Sequence, residues 1–287
     1  MTEAIRRTIL GTLYLASFAG LLWLAWFGRD YYLLPLAERP HHALHWELKP
    51  GGTFGRLYGV AGATLMVVML SYSVRRRLPA LRKAARLTHW LDFHIWCGVT
   101  GPLLIVLHSA LKVGGLIAIS FWSMVAVALS GIVGRFLYAQ IPRTAAGDEL
   151  SLEQAQRLER ELAASLAVGY GLSEREIGEL TGAATVTERS TVAASLAALL
   201  FAPLADRRRL AAFRRAHRSL PRPTMARLTA MAPQRATLHR RLLLWRRLHE
   251  LFHYWHVFHK PFAILMYLFA AIHVGVVWAT GYGFGAG

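Results

Sequence analysis

Long apolar runs, separated by clusters of arginine and glycine, set the pattern of this chain. Five runs are long enough for membrane-crossing helices, over about 8–27, 57–74, 90–113, 116–139 and 257–280. A further apolar stretch, 192–204, is too short to span comfortably and reads as an amphipathic or partner-packing helix. Between 142 and 256 apolar positions instead recur at amphipathic helical spacing. Ala155, Leu158, Leu162 and Leu166 follow a Ser151–Gln154 capping box, and a second box at Ser173–Glu176 precedes Gly182, which reads as a stop. Pro221 and Pro223 then break the basic half of this region. The expected fold is all-α, an integral membrane helix bundle with about five transmembrane helices. The first four lie within 1–141, a helical cytoplasmic insertion occupies 142–256, and the fifth span with a short outer tail fills 257–287.

Composition agrees: of 287 residues 55% are hydrophobic, too apolar for an ordinary soluble domain. Arg6 and Arg7 precede the first run, and no clear A-x-A site follows its aromatic-rich end, so an uncleaved anchor is expected rather than a signal peptide. The formal charge is +17, with thirteen arginines and no acidic residue between Arg207 and Arg247. In a soluble chain that run would suggest nucleic acid. Here the positive-inside rule and nearby anionic lipid explain it, so membrane lipid is the expected partner and nucleic acid is not. The start of the first helix, the loop 75–86 and the stretch after Arg143 fall on one side of a five-span bundle. That side is expected to be the cytoplasm, in a bacterial inner membrane, with the C-terminus outside.

Candidate chemistry lies in four histidines. His94 and His108 are fourteen residues apart in the third span, and His259 and His273 fourteen apart in the fifth. Fourteen residues make just under four helical turns and advance about 21 Å, so each pair lies near one helix face. Both spans start on the same side, which sets His94 level with His259 and His108 level with His273. Zinc fits poorly, because it needs three or four converging ligands. Two imidazoles at each level suit the axial positions of a haem, with no vacant position for substrate. Cys97 is the one cysteine, and C-x-x-C-H is absent, so the expected haem is non-covalent and b-type.

Neighbouring residues extend the reading. Gly98 and Gly101 lie on the face between His94 and His108, where glycine would admit a porphyrin or serve helix packing. Gly59, Gly62, Gly131 and Gly134 carry the same two readings. Lys260 and Lys112 are candidate propionate partners or snorkelling anchors. Trp90, Trp96, Trp122, Trp255 and Trp278 suit interfacial positions. His253, His256 and His89 are terminal, and His256 lies seventeen residues from His273, which favours His259 as the ligand. His41, His42 and His45, near Glu47, are a solvated cluster or a metal or proton-handling site.

These pairs and their helix order resemble the di-haem b-type cytochromes, above all the transmembrane domain of ferric reductases and NADPH oxidases, where ligand pairs also lie on the third and fifth helices. The cytochrome b of quinol–cytochrome c reductases is similar in spacing but uses its second and fourth helices. The resemblance implies two haems b, the inner on His94 and His259, the outer on His108 and His273. It covers about 57–139 and 257–280. No Gly-rich phosphate loop and no G-x-G-x-x-G after a strand pattern is seen, so no flavin or nicotinamide domain is evident. The expected function is a cytochrome b subunit carrying electrons across the membrane between quinone, or another redox subunit, and an acceptor on the other side. The alternatives are a ferric reductase-like metal or oxygen reductase working with a separate flavoprotein, and a haem-free scaffold subunit.

Overall fold

A computed structural model describes residues 3–78, 80–81, 86–144, 149–170, 173–181, 191–218 and 220–281. These residues are helical, with no strand among them beyond an isolated antiparallel bridge between Arg143 and Glu149. The chain divides into two compact units. The first comprises 1–134 and 255–287, the second 135–254.

In the first unit, α1 (Glu3–Phe27) is followed by short α2 (Arg29–Tyr32), a 3-10 turn (Arg39–His41) and α3 (His45–Leu48). Next come α4 (Thr53–Val68), α5 (Ser71–Arg77), α6 (Leu87–Ser109) and α7 (Ile117–Gln140). The second unit contains α8 (Leu152–Tyr170), α9 (Glu174–Thr181), α10 (Val192–Ala216) and α11 (Arg222–Leu243). Helix α12 (Trp245–Ala279) completes the chain, and the unit boundaries fall inside α7 and α12.

Five helical stretches are long and apolar enough to cross a membrane: Thr8–Phe27, His45–Arg77, Leu87–Ser109, Ile117–Gln140 and Trp245–Ala279. Their outer faces carry exposed Leu15, Trp23, Leu129, Ile132, Ile264 and Leu268. Such apolar surface is what a bilayer covers and water does not tolerate. Two boundaries differ from the sequence expectation. The second span breaks at Met69–Leu70, where three-residue hydrogen bonds replace the α ladder (Leu70 N to Val67 O, 3.0 Å; Ser73 N to Leu70 O, 2.8 Å). The last helix starts at Trp245 rather than near 257. Hydropathy marks where polarity begins, but nothing in 245–256 stops a helix. Buried Leu248 and an Arg246–Glu250 pair at 2.8 Å sustain it.

Within the bundle α6 packs closely along α4, whereas among the described residues α6 and α12 make no comparable backbone approach. Gly62 and Gly101 sit at the α4–α6 crossing: a Cβ on Gly62 would lie 2.9 Å from the Gly101 carbonyl oxygen. Helix α12 is held by side chains. The Ser120 hydroxyl donates to Met266 O (2.9 Å), the Tyr267 hydroxyl donates to Met66 O (2.5 Å), and Met66, Met124 and Met266 pack together. The loop after α1 is clasped by buried Arg39. Its guanidinium donates to the carbonyls of Leu34 (2.9 Å), Tyr32 (2.8 Å) and Ala110, the last in the left-handed C-cap of α6.

The core of the second unit is Leu166, Ile177, Leu180, Phe213, Leu228 and Ala232. Both expected capping boxes form: Ser151 N donates to Gln154 Oε1 (2.9 Å) and Gln154 N to Ser151 Oγ (3.1 Å), and Ser173 and Glu176 do likewise. Gly182 lies outside the described residues. The expected stripe on α8 holds at Ala155 and Leu166, which are fully buried, and fails at one position. Leu158 is exposed, and Glu159 takes its place on the inner face, paired with Arg235 at 3.0 Å and with His239 at 3.3 Å. The arginine run is also not wholly a surface. Arg240 is buried and binds both carboxylate oxygens of Asp206, at 3.0 and 2.6 Å, while Arg241 donates to Ala139 O at 2.8 Å.

Candidate functional site

All four span histidines belong to the first unit, and they pair by level. His94 lies within electrostatic reach of His259, and His108 within reach of His273. Each is half-buried. Helix α6 supplies one imidazole at each level and α12 the other, so the parallel register expected of the third and fifth spans is present within one compact unit.

Three of the rings are oriented by a hydrogen bond at Nδ1. His94 Nδ1 meets Met69 O at 3.1 Å, and His108 Nδ1 meets Gly55 O at 2.8 Å. A carbonyl oxygen only accepts, so each Nδ1 must carry the proton. His259 Nδ1 lies 2.7 Å from Ser130 Oγ, and that hydroxyl has its own hydrogen directed to Val127 O at 2.9 Å. With its hydrogen on the Val127 carbonyl, the serine oxygen can accept from His259 Nδ1. A neutral imidazole protonated at Nδ1 presents its lone pair at Nε2. This is how a ligating histidine is set, one nitrogen donating to the protein and the other facing the metal.

The local fold explains each anchor. Met69 is the break between α4 and α5, where its carbonyl receives only a long bond from Tyr72 N at 3.3 Å. Its remaining lone pair is available to His94, whose ring also lies 5.3 Å from that of Tyr72. Gly55 opens α4, and Gly59 lies one turn on. A Cβ on Gly59 would stand 2.6 Å from His108 Nδ1, so only a bare backbone lets the imidazole reach Gly55 O. On the other wall, the Trp255 indole donates to Ser130 O at 2.8 Å and its ring lies 4.8 Å from that of His259. Gly134 makes this possible, because a Cβ there would fall on the indole.

Sequence reasoning left these supports open or missed them. Gly59 and Gly134 were each equally readable as cofactor clearance or helix packing, and they instead clear space for a ring of the site. Gly98 and Gly101 both meet α4: Gly98 is 3.7 Å from Met69 Sδ as a Cβ would see it, and Gly101 is 3.2 Å from Gly62 O. Close helix packing accounts for Gly101. Trp255, assigned to the membrane interface, braces His259. Lys260 and Lys112 are exposed. Ser130 had no sequence signal, since a serine in an apolar helix is common.

Comparison with protein-family models, curated proteins and solved structures returns no match. The reading therefore rests on the residues themselves.

Among the described residues no group of three or more His, Cys, Asp or Glu forms a metal cluster, and this includes His41, His42 and His45 in the segment after α1. There His42 Nδ1 accepts from Leu44 N at 3.1 Å, and the Tyr31 hydroxyl and His45 Nδ1 are 3.3 Å apart. Pairs of imidazoles, two per level, fit a metal whose other ligands arrive with it. A haem brings four nitrogens of its own, and the donor set here, two imidazoles at each level with Nε2 of His94 and His108 left as a lone pair, is compatible with what it lacks.

Proposed function

We propose that this chain is a di-haem cytochrome b subunit that carries electrons across the membrane between quinone, or a redox partner subunit, and an acceptor on the other side. The observation that carries this reading is that His94 and His108 are fixed as Nδ1–H and His259 is seated on Ser130, within two cross-helix pairs. His94 and His259 would hold one haem b, His108 and His273 the other. A haem with both axial positions filled supplies a one-electron couple without an open site for substrate.

The chain's own residues do the positioning. Met69 and Gly55 carbonyls hold the α6 imidazoles, and Ser130 with Trp255 holds that of His259. Neutral, oriented ligands need no proton to leave before they bind. Exposed apolar helix faces around the unit exclude water from its lipid side. The arginine-rich loop 75–86 and the region after Arg143 support a cytoplasmic location for the second unit, in a bacterial inner membrane.

The test is a reduced-minus-oxidised spectrum of the protein purified in mild detergent, with a haem-to-protein ratio. Two b-type haems per chain are expected, and His108→Ala or His273→Ala should each remove one. A folded, haem-free protein from cells well supplied with haem would overturn the proposal and leave a scaffold subunit. If two haems are found, their reduction by quinol would identify the donor. Outer-face Fe(III) reduction with a cytoplasmic flavoprotein would point to the ferric reductase alternative.

A further inference from the structure

Helix α10 is buried along one side only. Ser195, Leu199, Ala202, Asp206 and Phe213 recur at three- and four-residue multiples and face inward. Leu200, Phe201 and Leu204 point the other way and are 58%, 66% and 51% exposed. Exposed Arg207 and Arg208 follow directly. At 100° per residue these five side chains fall within an arc of about 120°. One face thus runs from apolar to cationic, and exposed Arg214 and Arg215 continue the charge toward the helix end. The acid in this stretch, Asp206, is turned inward and bound by Arg240, so it does not offset the exposed arginines.

The start of the helix is well defined, because the Thr191 hydroxyl caps it by accepting from Ala194 N at 3.2 Å. The uncharged stretch from 192 to 205 is about 21 Å long as helix, short of the roughly 30 Å hydrocarbon core. It is not among the five candidate spans. Leu204 and Arg207 or Arg208 are separated by about 5–6 Å of rise. A neutral apolar partner would leave the arginines unanswered, and an acidic soluble partner would leave Leu200, Phe201 and Leu204 in water. A bilayer surface with anionic headgroups answers both, and the five spans keep such a surface at high local concentration.

We propose that the apolar half of α10 inserts into the headgroup–acyl boundary of an anionic bilayer, with Arg207 and Arg208 on the lipid phosphates. This inference is independent of haem. Cys97 is fully buried, so a cysteine introduced at Leu204→Cys can be labelled with an environment-sensitive fluorophore in the full chain. In nanodiscs containing phosphatidylglycerol the emission should shift to the blue and be quenched by nitroxide-bearing lipid. Both effects should be lost in phosphatidylcholine nanodiscs, or when Arg207→Gln and Arg208→Gln are added. Water-like emission in both lipids overturns the proposal. So does a blue shift that lipid nitroxide does not quench, which would mean that protein covers this face, either a second copy or another chain.

Discussion

At the scale of single residues, the state of two imidazoles, His94 and His108, follows from what their neighbours can and cannot donate. Ser130→Ala removes the hydroxyl beside His259 Nδ1 and should weaken retention of the haem proposed between His94 and His259 by roughly 10–100-fold, the usual effect of losing such a partner. A haem-to-protein titration of the variant measures this, and unchanged retention would show that Ser130 does not set the ligand. Gly59→Ala places a methyl group 2.6 Å from His108 Nδ1 and should displace that ring from Gly55 O. The expected result is a changed low-spin EPR signal for the haem proposed at His108 and His273, beside an unchanged signal for the one proposed at His94 and His259. Outside the membrane, the Ser173 hydroxyl and backbone N–H, aided by His217, hold the Glu176 carboxyl below the usual carboxylate range. A group depressed in this way supports the fold above its unfolded pKa and loses that support as pH falls through the lower folded value. Acid should therefore loosen the start of α9, and Ser173→Ala should return Glu176 toward an ordinary titration by NMR.

At the scale of elements, Arg39 ties the loop after α1 to the end of α6. Arg39→Met strips donors from three carbonyls, largely buried, and should cost about 2–4 kcal/mol, read as a lower Tm and faster hydrogen exchange over 31–48. The helices themselves were largely legible in the sequence. The first span, Thr8–Phe27, and both capping boxes are written in short-range patterns of polarity and side-chain type. The histidine spacing placed four candidate ligands on two helices. What the sequence did not disclose depends on neighbours far along the chain. The Met69–Leu70 break carries no proline or glycine, yet it exposes the carbonyl that His94 uses. Leu158 looked like core and Glu159 like surface, and a distant Arg235 reverses them. Helix α12 extends back to Trp245 because the end of an apolar run is not the end of a helix.

At the scale of the molecule, the four histidines and their supports Gly55, Gly59, Met69, Ser130, Gly134 and Trp255 all lie in the first unit. Leu228→Ala opens a cavity in the core of the second unit and should destabilise it by about 2–5 kcal/mol. The haem spectrum should persist while far-UV circular dichroism reports earlier loss of helix. Simultaneous loss of both signals would show that the units unfold as one. The carbonyl anchors also bear on how such a chain can change over generations. Replacing Met69 by another residue alters its side chain but leaves its peptide oxygen in place, so the acceptor of His94 survives most mutations at that position. His259 depends on a hydroxyl that a single substitution can erase. A saturation-mutagenesis survey should therefore find position 69 permissive and position 130 restrictive, although each supports one ligand of the same pair.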